Sequence, residues 1–544
     1  MRHPVYAAWA RWGDKIGHLF ITRADLTTFE CDDWLIPTDR WGKVELQWWK
    51  NIEPALRVVG ASKPESGPSQ EMFHPGGPRY MPVEVTGRPK AWIGWTASDE
   101  PRNEWFVSGA TEFVDHVVAA GSKAIRHGRS RRLVAVPLVG AGKGGGAWEA
   151  GTILDAMIPA LDEKAREHDV DIALVTWAED EYAAAQAVRR EIYKKRDLWP
   201  ELDDKSKSWA DLRAKSAAAG KLVVFFGAGL GAGSGIPLWK DLIDQLMSAA
   251  CLDNDEREVL PTWSALDQAQ YLERALADVH GGSIGNTVAE LIRDKGFVNL
   301  SIASLANLPV EGLITTNYDK LFEQAAAAIK SPVVVLPYDP HTGASRWLLK
   351  MHGCIDYVDD IVLTRNSYTR YAERNQALAG IVQAMLITKE MLFLGFSLSD
   401  ENFLRIMDAV RRAVSPRDPR PGKEMQLGTA LMLKDEPVMA RRWRRELDLF
   451  SPSTSSITDA EAARRLEIFL DYMLFRTAST KHLLRRRLRG TLNREERALV
   501  ECLEKLVELA PASPDSTAWA IVNDMLQRLG HLESEQAPEG MPEQ

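Results

Sequence analysis

Residues 222–239, LVVFFGAGLGAGSGIPLW, join five apolar residues to a glycine-rich turn. Glycine at Gly227, Gly229 and Gly231 would let backbone N–H groups approach a pyrophosphate, because a Cβ there would collide with it. Pro237 fixes φ and fits a chain that is redirected just before a helix. The pattern therefore predicts a dinucleotide phosphate loop, and a tight strand-to-helix turn without a ligand is the alternative.

Three later segments place polar residues directly after apolar runs: ITTNYDKLFE (314–323), KMHGCID (350–356) and LFLGFSLSDENF (392–403). Each has an ordinary structural explanation when it is taken alone. Asn and Asp after a strand often cap the next helix, and Ser and Asp before NFLRIM fit the same role. A histidine before glycine is typical of a turn or of a hydrogen-bonded interior residue.

The four segments together, in this order, resemble the sirtuin family. Residues 227–237 are similar to its GAG-x-S-x-x-S-GIP phosphate loop, and PLWKDLI matches the prokaryotic sirtuin-like branch. DIVLTRNSYTRY (360–371) follows KMHGCID as the family order requires. The resemblance extends roughly over residues 220 to 475, less than half of the chain. Gly231 departs from it, since the family usually has its first serine there.

This resemblance implies a site for NAD+. Cleavage of the bond between nicotinamide and ribose passes through an oxocarbenium-like state, which needs groups that hold the ribose and a base. By resemblance Asn317 would orient the ribose and the attacking water, Asp319 would face the nicotinamide carboxamide, and His352 would be the general base. Ser397 and Asp400 would border the adenosine end. The other implied cofactor-binding residues are Gly227, Ala228, Gly229, Ser234, Gly235, Ile236, Pro237, Thr316 and Gly395.

The cysteines bear on which acceptor the site would use. Cys31, Cys251, Cys354 and Cys502 form no CxxC pair, whereas protein deacylases of the family generally carry a four-cysteine zinc module. We therefore expect no metal, and water as the acceptor. The sequence is predicted to be an NAD+ hydrolase. The alternatives are a module that binds NAD or ADP-ribose without turnover, and an NAD-dependent protein deacylase.

The matching branch includes NAD-degrading effectors of bacterial anti-phage defence, which act by abortive infection. The resemblance thus implies depletion of cellular NAD+, a homo-oligomer, and a defence partner protein such as an ATPase or an Argonaute-type protein. The first twenty residues show no signal-peptide pattern, and no later stretch approaches 18 uninterrupted apolar residues. We therefore expect a cytoplasmic protein without a membrane segment.

The elements that must position these residues are predicted from alternating strand and helix patterns. The chain is too long for one core, so several domains are expected. Apolar strands joined by helices indicate α/β structure with a parallel, Rossmann-type sheet in a sirtuin-like domain over 196–475. The predicted strands of that domain are LVVFFGAG, VEGLITTNYD, PVVVLP, RWLLKMHG, DIVLTR, EMLFLGFS and GTALML.

Residues 1–195 form a predicted α/β domain that precedes the sirtuin-like one. The sequences ITRADLTTFECDDWLIPTD (21–39) and AVPLVGAGKGGG are loosely similar to a macro domain, which implies binding of an ADP-ribose-like nucleotide. The predicted sensor loop comprises Gly140, Gly142 and Gly145, and a simple loop is the alternative. A P-loop is excluded because Gly144 follows Lys143 where Ser or Thr is required.

The domain boundaries are predicted from composition. The polar stretch 194–215 separates the first two domains, and residues 476–544 are expected to be helical with a disordered tail. The basic run KHLLRRRLR (481–489) favours a solvated helix face or an oligomer contact over nucleic acid. A net charge of −9 also argues against nucleic-acid or membrane binding driven by overall charge.

Overall fold

The computed structural model describes residues 17–67, 70–97, 102–121, 125–280, 283–293, 296–340, 345–414, 426–508 and 517–532. Within these ranges the chain forms two β-sheets flanked by helices, which confirms the predicted α/β class. The predicted tail, residues 533–544, lies outside the described residues.

The first sheet has six strands in the order β1-β6-β5-β2-β4-β3, and β3 alone runs antiparallel to its neighbour. Its strands β1, β5 and β6 are largely buried because helices cover both faces of the sheet. The sequence predicts four of these strands, in HLFIT, DDWLIPT, RRLVAVPLVGAG and DIALVTWA, and does not predict β3 and β4. The strands are β1 (Leu19–Arg23), β2 (Asp33–Thr38), β3 (Tyr80–Val83), β4 (Lys90–Trp95), β5 (Leu133–Pro137) and β6 (Asp171–Thr176).

The second sheet has seven strands, all parallel, in the order β13-β12-β11-β7-β8-β10-β9. The predicted strand DIVLTR is wrong. Residues 361–363 are buried but lie outside the sheet, and Thr364 caps the helix that follows. The strands are β7 (Leu222–Phe226), β8 (Gly312–Thr315), β9 (Val334–Leu336), β10 (Trp347–Lys350), β11 (Glu390–Leu394), β12 (Gly428–Leu431) and the unpredicted β13 (Leu447–Phe450).

The helices of the first part of the chain are α1 (Glu53–Val58), α2 (Asn103–Ala119), α3 (Ala150–His168) and α4 (Glu179–Tyr193). Those around the second sheet are α5 (Asp204–Ala218), α6 (Trp239–Ala249), α7 (Asn254–Val259), α8 (Ala265–His280), α9 (Ile284–Ile292), α10 (Leu300–Asn307), α11 (Leu321–Ala328), α12 (Arg365–Arg374), α13 (Gln376–Thr388), α14 (Glu401–Val414), α15 (Pro437–Trp443) and α16 (Asp459–Thr477). Two more follow, α17 (Arg494–Glu508) and α18 (Thr517–Arg528).

Helix α16 joins the two sheets through buried ion pairs. Asp471 accepts hydrogen bonds from both terminal nitrogens of Arg189, at 3.0 and 2.9 Å, and from the Trp199 indole at 2.9 Å. Two turns earlier on the same helix, Arg464 pairs with Asp171 of β6 at 2.9 Å. Trp199 is fully buried and lies in the polar stretch 194–215, which also contains most of α5. That stretch is therefore part of the packed junction and not an open linker.

A second junction lies beside the glycine-rich loop. Phe29 and Val298 form a parallel β-bridge, in which Glu30 N–H donates to the Val298 carbonyl at 2.9 Å. The His127 imidazole packs against Gly235, where an added Cβ would lie 2.7 Å from its Cε1 atom. The first sheet's domain thus contacts the glycine-rich loop directly.

The C-terminal segment folds back onto the first sheet's domain. Leu488 is fully buried in the core around β5 and α3. Arg487 pairs with Asp180 and Glu181 at the start of α4, at 3.0 and 2.9 Å, and Lys481 pairs with Glu179 at 2.8 Å. The basic run was expected to be a free helix face or an oligomer contact. These intramolecular pairs show that the solvated helix face is wrong for Lys481 and Arg487, whereas the oligomer contact stays a prediction.

Candidate active site

A cavity of about 820 Å³ opens at the carboxyl ends of the second sheet's strands. Strand β7 lies between β8 and β11, so the order of strands reverses at β7. Ligands of open α/β sheets bind in the crevice at such a reversal of strand order. The cavity is lined by residues that follow five strands, β7, β8, β10, β11 and β12.

The predicted cofactor-binding residues are only partly brought together. The cavity lining includes Ala228, Gly229, Ile236, Pro237, Thr316, Asn317, Asp319, Gly395, Ser397 and Asp400, together with His352. Gly227, Ser234 and Gly235 are not among its lining residues. Ser234 is 1% exposed, and its hydroxyl accepts a hydrogen bond from Asn299 N–H at 3.3 Å, so it holds the loop in place.

The glycines of the loop are required by packing between two backbone segments. A Cβ added at Gly227 or at Gly229 would lie 2.8 Å from the carbonyl oxygen of Gly395. Gly395 itself has φ +57°, and its own Cβ would lie 2.5 Å from Leu230 N. The sequence analysis ascribed these glycines to the approach of a ligand. The structure shows that the loop after β7 must first pass close to the loop after β11.

Gly231 has a different environment. An added Cβ would have no neighbour closer than 3.6 Å, and its φ of −85° suits any residue. Packing therefore does not require glycine at the position where the family usually has serine. Gly235 is different again, because it has φ +76° and also contacts His127.

Asn317 sits in the turn after β8 and is one of the residues that line the cavity. The Thr315 hydroxyl fixes this turn by donating to Phe226 O at 2.9 Å and accepting from Asn317 N–H at 3.0 Å. Asn317 is 7% exposed, and both polar atoms of its amide lack a partner. The Asp319 carboxylate accepts from Leu321 N–H, at the first residue of α11, at 3.0 Å, although Lys320 is the N-cap residue. Asp319 thus supports the start of the helix, as the structural explanation expected in part, whereas the Asn317 side chain does not.

Lys350, which the sequence analysis did not single out, holds the backbone of this turn in place. Its ammonium group is buried and pairs with Glu323 at 2.9 Å, and it also donates to the backbone carbonyl of Asp319. Burial alone would lower the pKa of Lys350, but the Glu323 carboxylate outweighs burial and raises it. A charged clamp therefore links β10 and α11 to the Asn317 turn.

His352 follows β10 and lies between acidic and aromatic side chains. It is 3% exposed, and its Nε2 atom is 3.7 Å from Asp400 Oδ2. Tyr368 and Tyr371 of α12 meet the imidazole edge-on, at ring distances of 5.4 and 5.9 Å. Burial lowers the pKa of His352, and the Asp400 carboxylate acts in the opposite direction. The imidazole is therefore neutral at neutral pH and can accept a proton.

Asp400 has a position that the sequence analysis did not foresee. It was expected to border the adenosine end, but its Oδ2 atom lies beside His352 and accepts a hydrogen bond from Tyr368 OH at 2.7 Å. Its Oδ1 atom accepts from Phe403 N–H at 2.8 Å, so it also caps α14. Ser397 is exposed and exchanges a hydrogen bond with Ser399 at 2.7 Å. Tyr368 and Tyr371 could have been noticed in DIVLTRNSYTRY, where their spacing places both on one helix face.

A smaller cavity of about 280 Å³ lies at the ends of strands in the first sheet. Gly140, Gly142 and Gly144 line it, whereas Gly145 of the predicted sensor loop is not among its lining residues. Gly142 faces open space, with no atom within 4 Å of an added Cβ. The Thr96 hydroxyl in this wall is buried and has no hydrogen-bond partner among the described residues. These features would admit a ligand close to the backbone.

One cluster of acidic side chains outside the two cavities has the spacing of a metal site but already pairs with a lysine. Within the described ranges, the one group of three His, Cys, Asp or Glu side chains close enough to share an ion is Asp115, Glu167 and His168. Lys164 already pairs with Asp115 and with Glu167, at 2.8 and 2.9 Å. The described residues also include no helix long and apolar enough to cross a membrane.

Comparison with known families identifies the class of the second domain. Residues 311–447 match the family model described as SIR2-like domain. This part of the chain is therefore similar to the SIR2-like domain family, and it contains Asn317, Asp319, His352, Ser397 and Asp400. The glycine-rich loop lies before the matched range.

The chain is also similar to curated bacterial proteins. "NAD(+) hydrolase ThsA" of Enterococcus faecium is 34% identical over 202 residues, which cover 35% of this chain and 40% of that protein. "NAD(+) hydrolase ThsA" of Cytobacillus dafuensis is 29% identical over 195 residues, which cover 35% and 37%. "Defense-associated sirtuin 2" of Bacillus subtilis is 26% identical over 210 residues, which cover 36% and 20%. The chain thus spans about two fifths or less of the length of these relatives.

Proposed function

We propose that the chain is an NAD+ hydrolase that releases nicotinamide and ADP-ribose. One observation carries this proposal: the unpaired amide of Asn317 and the buried imidazole of His352 line the same cavity as the glycine-rich loop. The amide can hold a ribose hydroxyl or water, and the imidazole can take a proton. The names of the relatives, two of which are NAD(+) hydrolases, support the same conclusion.

The reaction transfers the ADP-ribosyl group from nicotinamide to water. As the C–N bond breaks, its electron pair leaves with nicotinamide, and positive charge develops on the ribose. Water then forms the new C–O bond and gives up a proton, for which neutral His352 is the acceptor. Asn317 orients the ribose and the water, and Asp319 faces the carboxamide. The sum is NAD+ plus water giving nicotinamide, ADP-ribose and a proton.

The biological setting belongs to the same proposal. Depletion of NAD+ in the cytoplasm would stop the growth of an infected bacterium, and the relatives include a protein named for defence. A homo-oligomer and a defence partner such as an ATPase or an Argonaute-type protein would control such an activity. An enzyme that consumes a central cofactor has to be held inactive in a healthy cell.

The test is to incubate the purified full-length protein with NAD+ and to quantify nicotinamide and ADP-ribose by chromatography. Samples with and without an acyl-lysine peptide, and with and without extract of phage-infected cells, are compared. We expect both products in equal amounts without the peptide. Strict dependence on the peptide would favour a deacylase, and NAD+ binding without turnover would favour a binding module.

The N-terminal domain, residues 1–195, is proposed to bind an ADP-ribose-like nucleotide in its own cavity, beside the SIR2-like domain (196–475) and the helical segment (476–544). The open face of Gly142 and the unpaired Thr96 hydroxyl favour this function. Calorimetry of the full chain with ADP-ribose should show two binding events, one for each cavity. Gly142→Glu places a carboxylate against the diphosphate and should remove one event. Two unchanged events would contradict this assignment.

A further inference from the structure

The surroundings of His352 suggest that a second residue controls its protonation. Asp400 Oδ2 lies between two groups, the Tyr368 hydroxyl at 2.7 Å and the His352 Nε2 atom at 3.7 Å. His352 Nε2 is buried, and no atom in the part of the chain that the structure describes forms a hydrogen bond with it. A single carboxylate oxygen therefore faces both the phenol and the imidazole at the wall of the cavity.

The carboxylate of Asp400 is held by the fold in this orientation. Its Oδ1 atom caps α14 through Phe403 N–H, while Tyr368 on α12 fixes Oδ2. Burial and the adjacent Asp400 raise the pKa of Tyr368 well above its ordinary value, so the phenol stays protonated and donates. The cap and the phenol use two lone pairs of the carboxylate. Oδ2 keeps acceptor capacity for the imidazole.

We infer that Asp400 is a positioning residue that fixes the tautomer of His352 and stabilises the imidazolium formed when His352 takes a proton. Nε2–H then points to Asp400, and Nδ1 presents its lone pair to the substrate. Histidine bases are commonly oriented in this way by a carboxylate on their second nitrogen. This inference rests on the proposed hydrolase function, because it names the group that prepares its base.

Among the described residues, Asp400 is the one charged group within 4.0 Å of a ring nitrogen of His352. Tyr368 and Tyr371 face it from α12, and Asp400 from the start of α14. Asp400 is also the one charged group that perturbs the pKa of His352 among the described residues. The remaining ionisable side chains of the cavity wall are Tyr318, Asp319, Arg365, Glu401, Glu436 and Lys240.

Two substitutions should move the titration of His352 in opposite directions. Asp400→Asn keeps an oxygen to cap α14 but removes the negative charge, so the imidazolium loses stabilisation. Tyr368→Phe removes a donor from Asp400, which leaves more negative charge for the imidazole. In the pH profile of kcat/KM, we expect the midpoint of the acid limb to move to a lower pH by about one unit or more in Asp400→Asn. In Tyr368→Phe the same midpoint should move to a higher pH.

Comparison of kcat with KM should distinguish a positioning role of Asp400 from a role in the fold alone. In Asp400→Asn we expect kcat to fall at least about tenfold, with KM for NAD+ changed by less than about threefold. Asp408→Asn is a matched control on the same helix, where Asp408 only forms exposed ion pairs with Arg411 and Arg412. Its pH profile should equal that of the wild type.

The decisive experiment combines the pH–rate profiles with NMR titration of the histidines in the full chain, with the His352 signal assigned from His352→Gln. Opposite movements of the His352 titration in Asp400→Asn and Tyr368→Phe would support the inference. An unchanged titration in Asp400→Asn, or equal movements in both variants, would overturn it. Absence of nicotinamide release from the wild type would refute the proposed function, while the NMR titration would still decide on the Asp400–His352 pair.

Discussion

At the scale of single residues, the unpaired amide of Asn317 indicates that the cavity binds a polar ligand. Its amide is buried and both polar atoms are unpaired, which costs roughly 1–3 kcal/mol for each unsatisfied group. Its neighbour Asp319 uses its carboxylate for the fold. A residue that weakens the folded state and faces a cavity is typical of a binding or catalytic site.

Asn317→Ala should therefore abolish activity without lowering stability. We expect nicotinamide release to fall by at least about a hundredfold, since the ribose and water lose their hydrogen-bonding group. The melting temperature should stay equal or rise, because an unsatisfied amide is removed. Asn254→Ala on exposed α7 is the control. A fully active Asn317→Ala protein would show that another residue holds the substrate.

Gly231 allows a test of the departure from the family pattern. Gly231→Ser should fold normally, since its φ and its surroundings accept a side chain. Gly231 is buried next to the cavity-lining residue Leu230 and does not itself line the cavity. If the added hydroxyl reaches NAD+, a hydrogen bond worth about 1 kcal/mol would lower KM by about fivefold. Gly229→Ser is the contrasting variant and should lose stability, because its Cβ would meet the Gly395 oxygen. Equal stability losses in both variants would contradict this account of the loop.

Helix α16 is the element on which the junction between the sheets depends. Burial opposes the ionisation of Asp471, but Arg189 and His18 outweigh it and hold the pKa of this carboxyl well below its usual range. A carboxyl with a lowered folded pKa contributes stability that is complete above the ordinary value of about 4. That contribution is lost as the pH falls below it.

Asp471→Asn should lower the free energy of unfolding by about 3–5 kcal/mol, because it leaves the buried Arg189 without a counter-ion. The difference from the wild type should shrink as the pH falls from 5 towards 2. Urea titrations across this pH range measure the effect. Asp524→Asn, which breaks an exposed pair on α18, should cost less than about 1 kcal/mol. A pH-independent loss would contradict the assignment.

The sequence predicted the elements of the site better than the contacts between them. The parallel sheet and the turns after β7, β8, β10 and β11 followed from apolar runs that end in polar residues. The pairing of Asp400 with His352 and Tyr368 could not be predicted, because three separate elements meet there. The junction at 194–215 was hidden for the same reason. Its polar residues indicated only a domain boundary, whereas Trp199 is buried against Tyr472 and Phe475 of α16, far away in the sequence.

On the scale of the whole molecule, a short route links the two cavities. Leu26 lines the N-terminal cavity, and Phe29, three residues later, forms the bridge to Val298. The next residue, Asn299, donates from its side chain to Leu230 O at 2.9 Å in the glycine-rich loop. A ligand that shifts the segment at Leu26 would thus act on the loop through one β-bridge.

Gly142→Glu tests this coupling in the full chain. If occupancy of the N-terminal cavity controls the SIR2-like site, the variant should change kcat/KM for NAD+ by at least about fivefold, the lower end of typical coupling between sites. It should also abolish any response of the rate to added ADP-ribose-like nucleotide. Gly67→Glu is the control, because Gly67 is exposed, has no atom within 4 Å of an added Cβ and does not have the positive φ that favours glycine. An unchanged rate and response would leave the N-terminal domain without a regulatory role.

Release of nicotinamide from NAD+ by the full-length protein and by its His352→Ala variant tests the central claim most directly. His74→Ala, which replaces an exposed histidine outside both cavities, serves as the control. All three proteins are assayed with and without extract of phage-infected cells and without acyl-lysine peptide. The account predicts release by the wild type and the control under at least one of these conditions, and loss of release in His352→Ala with an unchanged melting temperature. Undiminished release by His352→Ala, or NAD+ binding without release by the wild type under every condition, would contradict it.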